Sequence, residues 1–341
     1  MKAWVLEKTA LFSDQAEPLV LRDLAIPDPG PLDILIRLRA CGVCHTELDE
    51  IEGRLAARLP VVPGHQAVGV VERTGSRVRQ LKTGDRVGVA WIYSSCGHCS
   101  FCTSGRENLC PDFHGTGKDA NGGYAQYMRV PAEYAHPIPE QLTDLEAAPL
   151  LCAGAIGYRS LRLTGIRNGD SLGLTGFGGS GHLVLKMVRY RFPNTKIFVF
   201  ARNPEERAFA LELGASWAGD TTQSPPELLQ AIIDTTPAWQ PVVSSLAHLL
   251  PGGRLVINAI RKEPGDVDSL LQLDYAAHLW KEKEMQSVAN VCRSDVAGFL
   301  KLAAEGDIKA DIEVYPFAEA NQALLDLKHK QIRGAKVLQI D

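Results

Sequence analysis

Short runs of β-branched and other apolar residues, separated by Gly and Pro, characterise the first 150 residues of the chain. Representative runs lie at residues 33–40, 67–73 and 84–90. Val and Ile suit the pleated, half-buried surface of a sheet, and the Gly and Pro positions mark turns between strands. The pattern therefore predicts an antiparallel, barrel-like β domain in this part of the chain.

From about residue 153 the pattern changes to strands that alternate with helices. The strand candidates are short apolar runs, at 171–175, 196–201, 231–234 and 254–260. The helical candidates lie between them, at 182–191 and 205–214. Alternation of this kind predicts a parallel, doubly wound α/β sheet. The tail from about residue 294 adds a helix at 318–328 and a final strand at 335–340, and the pattern alone leaves the domain of that strand open.

Length and composition describe an ordinary two-domain protein. The chain has 341 residues, which is more than one hydrophobic core usually organises, with 45% hydrophobic and 22% charged residues. A net charge of −4 argues against nucleic acid or an anionic membrane as the main partner, and no apolar run reaches the roughly 20 residues that span a bilayer. Eight cysteines, clustered rather than spread as a disulfide framework, fit a reducing compartment. We therefore expect a cytoplasmic protein.

Four cysteines lie close together at positions 96, 99, 102 and 110. Two steps of three residues and one longer return allow four thiolates to surround one ion tetrahedrally, which suits a structural zinc. Unrelated buried thiols, or two disulfides, are the alternative. Because four protein ligands close the coordination sphere, Cys96, Cys99, Cys102 and Cys110 are predicted to stabilise a lobe, and the catalytic centre must lie elsewhere.

A glycine-rich segment at 176–181 matches the dinucleotide pattern G-x-G-x-x-G, follows a predicted strand and opens a predicted helix. Gly176 permits the tight turn, Gly178 lets the backbone approach a pyrophosphate, and Gly181 allows close packing of helix and sheet. Gly179 lies in the same turn. The free N–H groups of the following helix favour the phosphates. The alternative is a glycine-rich loop without a ligand.

The end of the next strand bears on the choice between NAD and NADP. An acid normally follows that strand and binds the ribose 2′-OH of NAD, but this chain has Ala201, Arg202 and Asn203, with no acid before Glu205. Arg202 could pair with the 2′-phosphate of NADP, so we favour NADP over NAD. In the alternative, Arg202 is a solvated charge and Asn203 holds the 2′-OH of NAD.

Further metal-capable residues occur in three separate segments, which contain Cys44, His65 and Cys152. Two cysteines and one histidine, with one exchangeable position, form a known ligand set for catalytic zinc. Their distance in the sequence says nothing about their proximity in space. His65 as a satisfied loop histidine and Cys152 as a buried small side chain remain open at this point.

Five motifs occur in one order along the chain: residues 42–48, residues 64–66, the four-cysteine lobe, residues 152–154 and the glycine segment 176–181. In this order the chain resembles the zinc-dependent alcohol dehydrogenases of the medium-chain dehydrogenase/reductase superfamily, over essentially its whole length. The resemblance implies a GroES-like β-barrel-type domain formed by residues 1–152 and 294–341, with the structural zinc lobe at about 94–112. A Rossmann domain at 153–293 would lie between them in the sequence, and the final strand would belong to the first domain.

The resemblance also implies roles for individual residues. It makes Cys44, His65 and Cys152 the ligands of a catalytic zinc. Thr46 would pass the alcohol proton away from the metal, and Glu47 would hydrogen-bond the ligand histidine and fix its tautomer.

Other positions of the resemblance concern the cofactor, the substrate and the proton relay. His45 would contact the cofactor pyrophosphate, and Trp91 would form a wall of the substrate pocket, with an ordinary core aromatic as the alternative for Trp91. Two positions depart from the family: Asp49 stands where many members end their proton relay with a histidine, and Gln66 stands where the family usually has Glu.

The implied activity is hydride transfer between NADP or NAD and a small alcohol, aldehyde or ketone whose oxygen binds the catalytic zinc, with two zinc ions in each chain. A homodimer or homotetramer joined through the edges of Rossmann sheets is also implied. Reduction of a C=C bond conjugated to a carbonyl, in an enal or an enoyl thioester, is an alternative, and the bond reduced in an unsaturated aldehyde discriminates the two. A non-catalytic nucleotide-binding homologue is a further alternative, which tight cofactor binding without turnover would support.

Overall fold

The computed structural model describes residues 1–13, 16–329 and 334–340, and the chain divides into two compact units. The first unit comprises Met1–Ala155 and Asn290–Asp341, and the second comprises Ile156–Ala289. The expected junctions at residues 152 and 294 lie within a few residues of these limits. In the described ranges, no helix combines the length and the apolar character needed to cross a lipid bilayer.

The strands, in chain order, are β1 (Lys2–Leu6), β2 (Leu19–Asp23), β3 (Asp33–Val43), β4 (Ala67–Thr74), β5 (Arg86–Val89), β6 (Ile92–Ser94), β7 (His114–Gly115), β8 (Tyr127–Pro131), β9 (Ala135–Pro137), β10 (Ser171–Thr175), β11 (Lys196–Phe200), β12 (Trp217–Gly219), β13 (Leu229–Asp234), β14 (Leu249–Ile257), β15 (Glu284–Ser287), β16 (Ile312–Pro316) and β17 (Ala335–Gln339). The α-helices are α1 (His45–Ile51), α2 (Ser100–Thr103), α3 (Asp144–Pro149), α4 (Ala155–Thr164), α5 (Gly179–Arg191), α6 (Pro204–Glu212), α7 (Gln240–Ala247), α8 (Arg293–Glu305) and α9 (Ala320–His329). A π-helical turn at Leu150–Gly154 joins α3 to α4.

The first unit is built on a seven-stranded sheet in the order β16-β17-β3-β4-β5-β9, with β8 also paired to β3. All of its pairs are antiparallel except β16 with β17. Alternate apolar residues of the long strand β3, such as Ile34, Ile36 and Leu38, are fully buried in one hydrophobic core. The final strand β17 pairs with β3, which gives it a place in the first unit, as the family resemblance implies.

The second unit contains a six-stranded, fully parallel sheet in the order β12-β11-β10-β13-β14-β15. Numbered within the unit, this order is 3-2-1-4-5-6, the doubly wound arrangement of a Rossmann domain. Leu172, Leu174, Ile232 and Ile233 of the two central strands are fully buried, as expected for a sheet covered on both faces. The predicted α/β fold class, with a GroES-like domain and a Rossmann domain, is confirmed.

The helix α8 packs directly on the π-helical turn at Leu150–Gly154. A methyl group placed on Gly154 would overlap the ring of Phe299, which is fully buried in α8. Only a residue without a side chain allows this approach, so the position of the turn depends on Gly154.

We expect Gly154→Ala to lower the free energy of unfolding by about 1–3 kcal/mol, because the added methyl group overpacks a buried contact. Thermal unfolding measures the effect. Gly265→Ala is the matched control, since no atom lies within 4 Å of a Cβ at that position. Equal melting temperatures for the two variants would contradict the proposed contact.

Candidate active site

The end of β3 and the start of β4 bring two of the predicted metal ligands together. The two strands are antiparallel, with Cys41 opposite Ala67, and the amide of Gly42 donates to the carbonyl of Gln66 at 3.0 Å. Cys44 therefore follows the end of one strand where His65 precedes the start of its neighbour. Residues that are 21 positions apart in the sequence become neighbours through the register of the ladder.

The third predicted ligand arrives from the turn at Leu150–Gly154. Its preceding helix α3 lies against β3 and β4, so that Cys152 meets the same corner of the sheet. The Sγ atoms of Cys44 and Cys152 and a ring nitrogen of His65 all lie within 4.8 Å of one another. Two thiols and one imidazole thus converge on one point in the first unit.

Glu47 connects two of the predicted ligands, Cys44 and His65. It lies in the first turn of α1, and its side chain is fully buried. Its Oε1 lies 2.6 Å from Nδ1 of His65, and its Oε2 accepts a hydrogen bond from the amide of Cys44 at 2.8 Å. With Nδ1 facing this carboxylate, Nε2 is the ring nitrogen that would be available to a metal ion.

The protonation states of Cys44, Cys152 and His65 depend on one another. A hydrogen bond from Cys152 lowers the pKa of Cys44 well below its usual value, and His65 adds to this effect, although burial acts in the opposite direction. The same hydrogen bond raises the pKa of Cys152. Burial alone lowers the pKa of His65, but Glu47 and Cys44 outweigh it and raise that pKa well above its usual value. Two buried thiols cannot both ionise side by side without a positive charge. The donor set therefore fits zinc.

Three further predicted residues lie on α1. Thr46 is buried, and its Oγ1 lies 3.6 Å from Sγ of Cys44. His45, the first residue of the helix, is exposed. Asp49 is buried, and its Oδ1 accepts a hydrogen bond from Nε of Arg54 at 2.7 Å. The carboxylate at the position of the family's relay histidine is therefore held by a guanidinium group.

Glu50 was not predicted as a site residue, yet it is 1% exposed. Neither of its carboxylate oxygens has a hydrogen-bond partner among the residues that the structure describes. Burial first, and then the charge of Glu47, raise the pKa of Glu50 well above its usual value. Nothing in the sequence distinguishes Glu50 from the neighbouring acids Glu47 and Asp49.

An aromatic pair lies beside His65. The ring centroids of Trp91 and His65 are 6.4 Å apart, and Trp91 meets Phe113 edge-on at 5.7 Å. Trp91 is partly exposed. Phe113, which the sequence analysis did not single out, follows the fourth cysteine of the lobe by three residues.

The four cysteines of the lobe form a second cluster, whose Sγ atoms all lie within 4.8 Å of one another. The distances are 3.6 Å from Cys99 to Cys102, 3.8 Å from Cys99 to Cys110 and 3.8 Å from Cys96 to Cys102. Four sulfurs at about 2.3 Å from a tetrahedral zinc would be about 3.8 Å apart. All eight cysteines of the chain are free, which excludes the two-disulfide alternative in this structure.

Backbone amides support negative charge on this cluster. The amide of Cys99 donates to Sγ of Cys96 at 3.4 Å, and the amide of Cys96 donates to Sγ of Cys110 at 3.5 Å. Amide hydrogen bonds, from His98 and Cys99 above all, lower the pKa of Cys96 to about 6. At Cys110, by contrast, the amide of Cys96 is outweighed by burial and by the thiols of Cys96 and Cys102, and the pKa is raised to about 11. A low pKa at Cys96 favours a bound cation.

The glycine segment of the second unit has the geometry that the dinucleotide pattern predicts. Gly176 has φ +80°, a conformation that favours glycine. No atom lies within 4 Å of a Cβ placed on Gly178, which is the N-cap of α5. A Cβ on Gly181 would lie 2.8 Å from the carbonyl oxygen of Gly176. The open side of this turn therefore faces space where a phosphate can approach the first amides of α5, which begins at Gly179.

The segment after β11 carries the residues predicted to select the cofactor. Arg202 is exposed, whereas Ala201 is buried. The Nη1 of Arg207 donates to the carbonyls of Ala201 and Arg202 at 2.7 and 2.8 Å. Asn203 caps α6, and its Oδ1 accepts from the amide of Glu205 at 2.9 Å. Arg202 is therefore the exposed cation of this segment, and the side chain of Asn203 has a structural use.

The chain matches the family described as Alcohol dehydrogenase GroES-like domain over residues 30–140. "Probable alcohol dehydrogenase AdhA" of Mycobacterium tuberculosis is 40% identical to it, over 100% of this chain and 97% of that protein. An alcohol dehydrogenase of Geobacillus stearothermophilus is 33% identical, over 98% of this chain and 100% of its own length.

Among solved structures, a cinnamyl alcohol dehydrogenase from Sorghum bicolor superposes with a TM-score of 0.82 and 28% identity, over 99% of this chain and 97% of that one. The similarity extends over both units and covers 97–100% of each of these three proteins. The chain therefore belongs to the zinc- and NAD(P)-dependent alcohol dehydrogenases of the medium-chain dehydrogenase/reductase superfamily.

Proposed function

We propose that this protein interconverts a small alcohol and its aldehyde or ketone, with NADP as the preferred cofactor and with two zinc ions in each chain. The observation that carries the proposal is the convergence of Cys44, His65 and Cys152, with Glu47 on the far side of the imidazole. An incomplete ligand set of this kind leaves a position for a substrate oxygen, whereas the four-cysteine cluster does not.

The two metal positions have different tasks in this proposal. Cys44, His65 and Cys152 would hold the catalytic zinc, which when bound supplies a Lewis acid for the carbonyl or hydroxyl oxygen of the substrate. Glu47 orients the imidazole through Nδ1 and keeps the loop of Cys44 in place through its amide. Cys96, Cys99, Cys102 and Cys110 would hold the structural zinc and stabilise their lobe.

Thr46 is the proposed proton carrier. Its hydroxyl lies beside Cys44, so Oγ1 can accept the proton of an alcohol at the site and return a proton to the product in the opposite direction. The carboxylate of Asp49 is bonded to Arg54 and is poorly suited to accept that proton next. We therefore propose that the proton passes from Oγ1 of Thr46 to solvent water.

Three observations support a preference for NADP. Arg202 follows β11 and is exposed, residues 201–204 contain no acid, and the side chain of Asn203 caps the helix α6. A guanidinium group binds a 2′-phosphate, whereas an acid at the same place would repel it. The glycine turn at 176–181 would receive the pyrophosphate, and exposed His45 would add a positive contact. The bound nicotinamide supplies or accepts the hydride.

Trp91 and Phe113 are the proposed walls of the substrate pocket. Both are aromatic, and Trp91 lies next to the ligand His65. Flat aromatic surfaces favour a planar substrate through stacking contacts. A conjugated aromatic aldehyde is therefore a suitable first substrate.

The product formed from cinnamaldehyde by the zinc-loaded protein tests the activity. We expect cinnamyl alcohol, with a higher kcat/KM for NADPH than for NADH because of Arg202. The saturated aldehyde would contradict carbonyl reduction and support reduction of the conjugated C=C bond. Tight nucleotide binding without turnover would support the non-catalytic homologue, and a kcat/KM ratio of NADPH to NADH well below one would exclude the NADP preference.

Metal analysis of single variants tests the assignment of the two zinc sites. We expect Cys44→Ser to retain about one zinc per chain and to lose nearly all turnover, because one thiolate ligand of the catalytic ion is removed. Cys99→Ser should also lose one zinc, with a clear fall in the unfolding temperature. Cys292→Ser is the matched control: this buried thiol donates to Asn108 and lies in neither cluster, so both ions should remain. Full activity in a Cys44→Ser protein of verified metal content would refute the assignment.

The oligomer is proposed to form through the edge of the Rossmann sheet. The edge strand β15 is exposed along its whole length, and large exposed apolar side chains lie close to it in the sequence, including Tyr275 and Trp280. An unpaired, partly apolar edge favours pairing with a second chain. We expect light scattering to give the mass of a dimer or tetramer, and a monomer at micromolar concentration would contradict this.

A cytoplasmic location also stays a prediction, which the eight free thiols support.

A further inference from the structure

A loop of the second unit lies directly against the glycine turn. It follows β13 and comprises residues 235–239. Both the amide and the hydroxyl of Thr235 donate to the carbonyl of Thr175, at 2.9 and 3.0 Å, one residue before Gly176. A Cβ on Gly176 would lie 2.7 Å from Oγ1 of Thr235 and 3.1 Å from Cγ2 of Thr236. The conformation of the turn therefore depends on where this loop lies.

A buried ion pair holds the loop. Asp234, the last residue of β13, is fully buried opposite Thr175 in the parallel ladder, and its carboxylate is bonded to Nζ of Lys262. The side chain of Lys262 is 9% exposed. Its Nζ also donates to the carbonyls of Thr236 and Ala238, at 2.8 and 2.9 Å.

The number of hydrogen bonds matches the capacity of the ammonium group. A lysine has three N–H donors, and here one is used by a carboxylate and two by carbonyls of the loop. The same carboxylate accepts from Oγ1 of Thr236 at 2.8 Å. At the far end of the loop, Asp266 accepts from the amides of Trp239 and Gln240, at 2.8 and 2.7 Å. The loop is thus fixed at both ends and in the middle.

A buried pair of this kind is a costly way to stabilise a domain, because both charges lose their hydration, and apolar side chains of equal volume often serve stability as well. Burial raises the pKa of Asp234 even with the lysine beside it. The specific effect of the Asp234–Lys262 pair is geometric, because Nζ of Lys262 directs the carbonyls of Thr236 and Ala238 toward one point. In a parallel sheet, ligands bind beyond the carboxyl ends of the strands, where the strand order reverses, and β10 and β13 are the two strands at that point.

We propose that Lys262 is a positioning residue for the dinucleotide: through Asp234 and the carbonyls of Thr236 and Ala238 it holds the loop 235–239 against Gly176, so that the glycine turn is ready to receive the pyrophosphate. The inference rests on the proposed function, because it concerns the same cofactor. It assigns no chemical step to Lys262.

Lys262→Met tests the proposal, because methionine keeps much of the apolar stem and removes the ammonium group. We expect the dissociation constant of NADP⁺, measured by calorimetry on the zinc-loaded protein, to rise on the order of tenfold or more. At saturating cofactor, kcat should change far less, and the zinc content should not change. Amide hydrogen exchange in the segment 234–240 should become faster.

Lys283→Met is the matched control. Lys283 also donates to two backbone carbonyls of the same unit, those of Leu246 and Ala277, both at 2.8 Å, but it does not contact the loop. We expect its NADP⁺ dissociation constant and its exchange rate at 234–240 to equal those of the unaltered protein. Weakened binding in both variants to the same degree would overturn the proposal.

The double variant Asp234→Asn with Lys262→Met separates positioning from stability. It removes the uncompensated buried charge, so the unfolding temperature should recover, while the two loop carbonyls still lack their donor and binding should stay weak. Recovery of NADP⁺ affinity together with stability would overturn the proposal, and this variant decides the matter if Lys262→Met alone does not fold. If the unaltered protein binds neither NADP⁺ nor NAD⁺, the proposed function fails instead.

Discussion

The two hydrogen-bonding contacts of the Glu47 carboxylate are the interactions on which the arrangement of Cys44 and His65 in the first unit depends. The carboxylate is fully buried, and it joins the amide of Cys44 to Nδ1 of His65. A buried carboxylate needs partners to offset its lost hydration, and here the partners are the backbone of one presumed ligand and the ring of another. The requirement to satisfy one acid therefore determines the loop conformation at Cys44 and the ring orientation of His65 together.

The second unit also contains a buried acid that needs partners, at the end of a central strand. Asp234 is paired with Lys262, and the same lysine collects two carbonyls of the adjacent loop. In both units, a buried charge that needs partners fixes the position of backbone groups, close to a predicted metal site in the first unit and to the glycine turn in the second. Packing by apolar side chains could stabilise these regions as well, but it has no direction and would not orient hydrogen-bonding groups.

Two departures from the family pattern, Asp49 and Gln66, lie close to the predicted metal ligands. Asp49 replaces a relay histidine and is bonded to Arg54, so its charge is compensated locally. Gln66 is buried against Gly42, where a methyl group would lie 2.7 Å from its Oε1. Glu50 is a further buried acid here, and burial together with the charge of Glu47 raises its pKa well above the usual value. Asp49 and Gln66 therefore differ in charge from the residues usual in the family, while the predicted ligands Cys44, His65 and Cys152 are all present.

The sequence by itself determined the alternation of strands and helices in the second unit and several strands of the first, because apolar runs, helical stretches and the glycine and proline positions are local properties. It also indicated the four-cysteine cluster and the glycine turn, whose residues are close together in the chain. It did not determine that Cys44, His65 and Cys152 meet. The resemblance implied this, the register of β3 with β4 brings Cys44 and His65 together, and the turn at Leu150–Gly154 adds Cys152. Glu50, Phe113 and Lys262 were not recognised at all. Their significance arises from burial and from contacts with residues distant in the sequence, and only the tertiary structure decides these, because they depend on which strands are neighbours.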